Sequence, residues 1–192
     1  RVIDPAHYDP GAIDRAAALL TQADLVNIHC GNGAERAGAG DEVRMLAEYL
    51  GCAVTNTVRA RGIVSDEHPL CFHPTCLSRI MANSQADVVL AVGTRLGELN
   101  MWGRPPMWGE PQTQQLIQID TEPTNIGLNR PVDVPLVGDA AVILQKLLIA
   151  VKDLTKKREP HPKIAEFRSV QDDWQKDLDT SVEDMERSPM LT

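Results

Sequence analysis

Four short stretches of this chain carry side chains suited to gripping a nucleotide: GNGAERAG at 31–38, VGTRLGE at 92–98, QLIQIDTEPTNIG at 115–127 and VGD at 137–139. Each lies at the carboxyl end of a predicted strand, and open α/β sheets bind ligands just outside those ends. Asp120 ends the strand QLIQID, where a carboxylate accepts hydrogen bonds from ribose hydroxyls. The turn after it, with Pro123 and Gly127, leaves backbone N–H groups open. Arg95 lies just past an apolar strand. A guanidinium there suits a diphosphate or stacks on a flat ring, although a salt bridge to a neighbouring loop fits the residue equally well. Asp139 also ends a strand, but it reads first as the N-cap of the helix AAVILQKLL. Gly31, Gly33 and Gly38 do not spell G-x-G-x-x-G, and TNT stands at 55–57 where a dinucleotide fingerprint would place its acid. A narrower role remains for that loop. N–H groups from Gly31 to Ala34 could approach a phosphate near a helix start, and a plain strand-to-helix turn explains the glycines as well.

Other chemistry finds less support. HPLCFHPTC packs His68, Cys71, His73 and Cys76 into nine residues, which raises zinc. No C-x-x-C is present and no second ligand pair lies elsewhere, so scattered loop and core residues are the default and no metal site is assigned. The sequence contains no G-x-S-x-G elbow, no G-x-x-x-x-G-K-[ST] loop and no H-E-x-x-H, so no catalytic residue is assigned. MWGRPPMWGEP, at 101–111, holds two of the three tryptophans and reads equally as a docking surface, a lid or a loop folded onto its own protein.

The elements that position these residues alternate. Asp9-Pro10 opens a helix through AIDRAAALLTQ, and DLVNIHC at 24–30 is a strand. DEVRMLAEYL places Val43, Leu46, Ala47 and Leu50 on one helical face with Gly51 as its stop. CAVTNT at 52–57, ADVVLAVG at 86–93, the strand ending at Asp120 and VDVPLVGD at 132–139 complete the strands. A helix is expected through TCLSRIMANS and another through AAVILQKLLIAVKDL, while VRARGIVSDEHPLCFHP is expected to be irregular. The pattern implies an α/β fold, a Rossmann-like three-layer domain with a parallel sheet of about six strands, over residues 1–154. Residues 155–192 read as a charged linker and one helix, with sparse apolar positions at Ile164, Phe167, Val170, Trp174 and Leu178.

Composition narrows the partners. The 192 residues suit one domain of ordinary size, and 43% apolar content is that of a globular protein. A formal charge of −8 argues against nucleic acid. No apolar run approaches the roughly 20 residues of a membrane span. Four irregularly spaced cysteines favour a reduced, cytoplasmic protein.

Taken in order, AAALLTQADLVNIHCGNGAERAGAGDEVRMLAEYLGCAVTNT, RARGIVSDEHPL, ADVVLAVGTRL, LIQIDTEPTNIG and VPLVGDAAVILQKL resemble the central domain of thiamine-diphosphate-dependent enzymes of the acetolactate synthase type. The likeness covers roughly residues 10–152. The tail resembles the linker to a following domain, SPMLT the point where that domain would begin, and the abrupt start a cut after a preceding one. The resemblance implies that thiamine diphosphate and Mg²⁺ lie between flanking pyrimidine- and diphosphate-binding domains. Those domains supply an activating Glu and a G-D-G motif with a downstream Asn, and this chain has no G-D-G. It further implies a homo-oligomer, dimer or tetramer, acting on 2-oxo acids as a carboligase or decarboxylase, with this segment inactive alone. Some members hold FAD on this domain, oxalyl-CoA decarboxylase holds ADP, and others hold nothing. The positions matching that nucleotide site are Gly31, Asn32, Gly33, Arg95, Ile119, Asp120, Asp139 and Ala140. Flavin-binding members often have a smaller, Gly-rich run where this chain has HCGNG. Two alternatives stand beside this reading: a stand-alone FAD- or NAD(P)-binding module without thiamine chemistry, and a purely architectural domain.

Overall fold

Asp9 accepts the Gly11 N–H at 2.9 Å and Pro10 occupies the first helical position, so helix α1 (Pro10–Gln22) starts where its sequence directs. A computed structural model describes residues 9–186. The expectations attached to the abrupt start and to SPMLT lie outside those residues. Six parallel strands follow: β1 (Val26–Cys30), β2 (Ala53–Asn56), β3 (Cys71–Phe72), β4 (Val88–Val92), β5 (Gln115–Asp120) and β6 (Val134–Val137). Their spatial order is β3-β2-β1-β4-β5-β6, the doubly wound arrangement. Between them run α2 (Asn32–Arg36), α3 (Gly40–Leu50) and α4 (Leu77–Gln85), and after β6 come α5 (Ala140–Leu154) and α6 (Lys163–Glu186).

Five strands fall within the expected segments. The sixth, β3, lies in a stretch expected to be irregular, and its two residues are too few to show a period of two. In α3, Val43, Leu46, Ala47 and Leu50 form the buried stripe, and Gly51 closes the helix in the left-handed region at φ 61°. Helices cover both faces of the sheet, and fully burying a side chain such as Leu20, Ile28, Leu90 or Ile143 is worth about 1.5–3 kcal/mol.

The face beneath α4 is not apolar. Asn27 Nδ2 donates to Thr55 Oγ1 at 3.0 Å and to Asn83 Oδ1 at 2.8 Å, and Thr55 Oγ1 lies 2.9 Å from His29 Nδ1. Thr55, His29, Ala91 and Gln118 are register neighbours across β2, β1, β4 and β5. Hydrogen bonds satisfy the Asn27 and Thr55 side chains and His29 Nδ1 where water cannot reach, while His29 Nε2 finds no partner among the described residues. His29 is fully buried, with Trp108 edge-on at 5.0 Å between ring centroids. Burial holds its pKa down at about 3, the nearby Arg79 charge acts in the same sense, and the Asn100 side chain opposes them. The unfolded chain therefore takes up this proton near its ordinary value of about 6.5, before the folded chain does. Stability attached to His29 is complete above about pH 6.5 and is lost as pH falls toward 3, by roughly 3 kcal/mol between pH 7 and pH 4. Urea denaturation at both pH values should show this loss, and His29→Gln should remove most of it.

The tail packs through part of its stripe. Ile164, Phe167 and Gln171 are buried, while Val170 is half-buried and Leu178 is 42% exposed. The seam thus runs through Gln171 rather than Val170, because residues 164, 167 and 171 keep the three-four helical step. Gln171 Oε1 accepts from the His73 N–H at 2.8 Å, Arg168 Nη2 donates to the Cys71 carbonyl at 2.9 Å, and Trp174 stacks on His73 at 4.8 Å.

Candidate functional site

Strand order reverses between β1 and β4, and the two loops leaving their carboxyl ends pack directly on each other. The Gly31 N–H donates to the Val92 carbonyl at 2.8 Å and the Gly33 N–H to the Gly93 carbonyl at 2.9 Å. No side chain fits between them. A Cβ on Gly31 would stand 2.5 Å from the Gly93 carbonyl oxygen, and one on Gly33 would stand 2.7 Å from the Gly93 Cα. The glycines at 31 and 33 are thus needed for backbone contact between two βα loops. Their amides are committed, and Ala34 N–H donates to the Gly31 carbonyl at 3.0 Å. The expected row of open amides reduces to Asn32, and the helix behind it has only five residues.

Beside this contact lies a crevice of about 380 Å³. It is lined by Asn32, Thr57, Arg59, Arg79, Arg95 and Asn100, among others, and no carboxylate belongs to the lining. Three arginines around one crevice, in a chain of net charge −8, form a local positive field that attracts anions. Arg79 Nη1 donates to Asn100 Oδ1 at 3.3 Å, and its buried Nε finds no partner among the described residues. Burial lowers the Arg79 pKa, yet a guanidinium stays protonated, so Arg79 brings a largely buried positive charge to the crevice lining. Arg95 is exposed and forms no salt bridge among the described residues, so the neighbouring-loop alternative is not realised there. Its backbone is fixed on both sides. Asn129 Nδ2 donates to its carbonyl at 2.7 Å, and the following Leu96 is buried in left-handed backbone at φ 51°. Val58 and Leu99, 65% and 86% exposed, supply an apolar mouth.

Of the residues read from sequence, Gly31, Asn32 and Arg95 line this crevice, whereas Gly33, Ile119, Asp120, Asp139 and Ala140 do not. Ile119 is fully buried and its carbonyl accepts the Gly93 N–H at 2.8 Å, so it supports the crevice from behind. Asp120 stands one strand away, at the end of β5. Its Oδ1 accepts the Glu122 N–H at 2.9 Å and Asn125 Nδ2 at 3.2 Å, which shapes its own turn. Its second oxygen accepts no bond from a described residue. Asp139 is the N-cap of α5, accepting the Val142 N–H at 3.1 Å, and Ala140 is the buried first residue of that helix. Replacing Asp139 by Ala should lower stability by about 1 kcal/mol, measured by chemical denaturation.

Sequence reading missed Arg59, Arg79 and Gln118. Gln118 Nε2 donates to the Thr94 and Asn125 carbonyls, both at 3.0 Å, and so ties the crevice loop to the Asp120 turn. Its alternation with buried Ile117 and Ile119 was the available signal, since a polar residue on a central strand needs buried partners. The tryptophan loop divides. Trp108 folds back, donating to the Asn100 carbonyl at 2.8 Å, while Trp102 is 43% exposed. Arg130 clamps this loop through the Gly103, Gly109 and Gln114 carbonyls. His68, at 3.3 Å from Glu48, and His73, stacked on Trp174, serve separate contacts. All four cysteines are buried and unpaired. Among the described residues no helix is long and apolar enough to cross a membrane.

Residues 13–147 match the family described as the thiamine pyrophosphate enzyme, central domain. The chain belongs to that family. Oxalyl-CoA decarboxylase of Escherichia coli (strain K12) is 36% identical over 146 residues, covering 76% of this chain and 25% of that protein. Sulfoacetaldehyde acetyltransferase of Roseovarius nubinhibens is 33% identical over 174 residues, covering 87% and 28%. Acetolactate synthase of Arthrospira platensis is 31% identical over 148 residues, covering 73% and 25%. This central domain thus spans about a quarter of the length of the relatives it matches. Those relatives are lyases and transferases of the thiamine-diphosphate-dependent class, and the crevice at the strand switch is the feature of this chain most suited to a ligand.

Proposed function

We propose that this chain is the central domain of a thiamine-diphosphate-dependent carboligase or decarboxylase acting on 2-oxo acids, and that its crevice holds the diphosphate of ADP or FAD. The observation carrying the nucleotide reading is the trio Arg59, Arg79 and Arg95 around a crevice without a carboxylate. In this reading a diphosphate offsets the largely buried Arg79 charge and accepts paired donors from Arg95. The free oxygen of Asp120, one strand along the same sheet edge, in this reading accepts a ribose hydroxyl. Thiamine diphosphate with Mg²⁺ supplies carbonyl addition and decarboxylation chemistry in the parent, held by flanking domains rather than by residues of this chain. The residues here bind and orient; none moves a proton in the reaction. The parent's assembly as a homo-oligomer in the cytoplasm belongs to the same reading.

An architectural role without nucleotide is favoured by one observation, the commitment of the Gly31, Gly33 and Ala34 amides within the protein. Titration calorimetry separates the two. ADP or FAD should release heat at one site and raise the melting temperature; no heat and no thermal shift with either leaves the architectural role. For the parent reading, the full-length enzyme should release CO₂ from a 2-oxo acid only when thiamine diphosphate and Mg²⁺ are supplied.

A further inference from the structure

Helix α5 is apolar on more than its inner side. Ile143, Leu144, Leu147 and Val151 are buried in the core, and Gln145, Lys146, Lys152 and Asp153 are the helix's only polar residues. Ile149 and Leu154 lie on the outer side, 57% and 58% exposed. A helix that is apolar most of the way round ordinarily has its outer side covered as well. Between α1 and α5 runs a groove of about 480 Å³, lined by Pro10, Ile13 and Ala18 from one helix and Ile149, Ala150 and Leu154 from the other.

The stretch KLLIAVKD, residues 146–153, is its own complement along this groove. Lys146, Ile149, Ala150 and Asp153 share one helical face, and Lys146 stands as far before Ile149 as Asp153 stands after Ala150. Two copies packed antiparallel, about a two-fold axis between residues 149 and 150, bring Lys146 of each copy against Asp153 of the other. The apolar pair meets itself at the axis, where the small Ala150 lets the helices approach closely. A parallel pairing would instead set Lys146 beside Lys146 and Asp153 beside Asp153, like charge against like. Both charges are uncommitted, since neither forms an ion pair among the described residues. Within one helix they stand about 10 Å apart along the axis, too far to pair with each other. Exposed ion pairs add little energy, so these set the orientation while the apolar contact supplies the attraction.

We infer that the groove between α1 and α5 is an isologous interface, filled by the α5 face of a second copy of this chain packed antiparallel. The inference rests on the homo-oligomer reading given above and names the surface that reading lacks. Cross-linking in the full-length enzyme, assembled from light and isotopically heavy chains, tests it. A photo-cross-linker at 149 should join α5 of a light copy to α5 of a heavy one. Charge reversal tests the register. Lys146→Glu or Asp153→Lys alone should weaken the contact between copies by about tenfold, read by sedimentation or by cross-link yield, and the double variant should recover it to within about threefold. All three substitutions fall on exposed residues, so the fold stays as it is. Cross-links confined to one chain, or reaching a second copy outside α1 and α5, overturn the inference. So does a double variant no better than the single ones. A monomeric full-length enzyme would overturn the homo-oligomer reading as well, whereas an oligomer without the α5 cross-link would overturn this interface alone.

Discussion

Gly93→Ala is expected to lower stability by about 2–5 kcal/mol, one of the two largest effects foreseen here. Two terms combine. Gly93 sits at φ 61°, where an L side chain costs about 1–2 kcal/mol. Its Cβ would also stand 2.2 Å from the Ala34 nitrogen and 2.5 Å from the Gly33 carbonyl carbon, both backbone atoms that cannot swing aside. Forced overpacking of this kind costs about 1–3 kcal/mol. The damage is local to the site, because separating the β1 and β4 loops breaks the Gly33 N–H bond to the Gly93 carbonyl. Urea denaturation reads the loss. A variant within about 0.5 kcal/mol of the wild type would mean that the loops do not meet as described.

The second large effect concerns Arg79. Its removal should weaken ADP binding by about 10- to 100-fold, the worth of a charge-assisted hydrogen bond of about 1.5–3 kcal/mol. Arg79→Lys should recover only part of this, since a lysine is a point charge without the guanidinium fork. Adding Arg95→Ala should bring the combined loss to about a thousandfold if the two residues act independently. Asn100 is the residue most exposed to a side effect, because it accepts from Arg79 and its carbonyl holds Trp108. Stability of each variant should therefore be measured beside its affinity. An Arg79→Ala protein that is folded, stable and binds ADP unchanged would remove Arg79 from the site.

What could be seen in the sequence follows from its periodicities. Val43, Leu46, Ala47 and Leu50 announce α3 and its buried face, and the run from Val88 to Val92 announces a strand covered on both sides. Such patterns repeat over several residues, so the fold was legible. The site is not periodic. Arg79 lies on α4, about fifteen residues before Arg95, and only the strand switch brings both to one crevice. Gly31 and Gly33 were visible as a turn, but their partner in close contact, Gly93, is sixty residues away. Asp120 and Asp139 illustrate the converse. A strand-end acid looks the same in sequence whether it meets a ribose or caps a helix, and for Asp139 the hydrogen bond to Val142 settles the capping role. Asn27, His29, Thr55 and Gln118 alternate with buried apolar neighbours at 26, 28, 54, 117 and 119, and which polar groups they meet depends on strand register, which no single segment shows.

The most direct test of the crevice is diffraction from crystals grown with ADP. Diphosphate density is expected at the switch between β1 and β4, with Arg79 and Arg95 within hydrogen-bonding distance and the ribose turned toward Asp120. ADP bound elsewhere on the chain, or a crevice holding only solvent at saturating ADP, would contradict it.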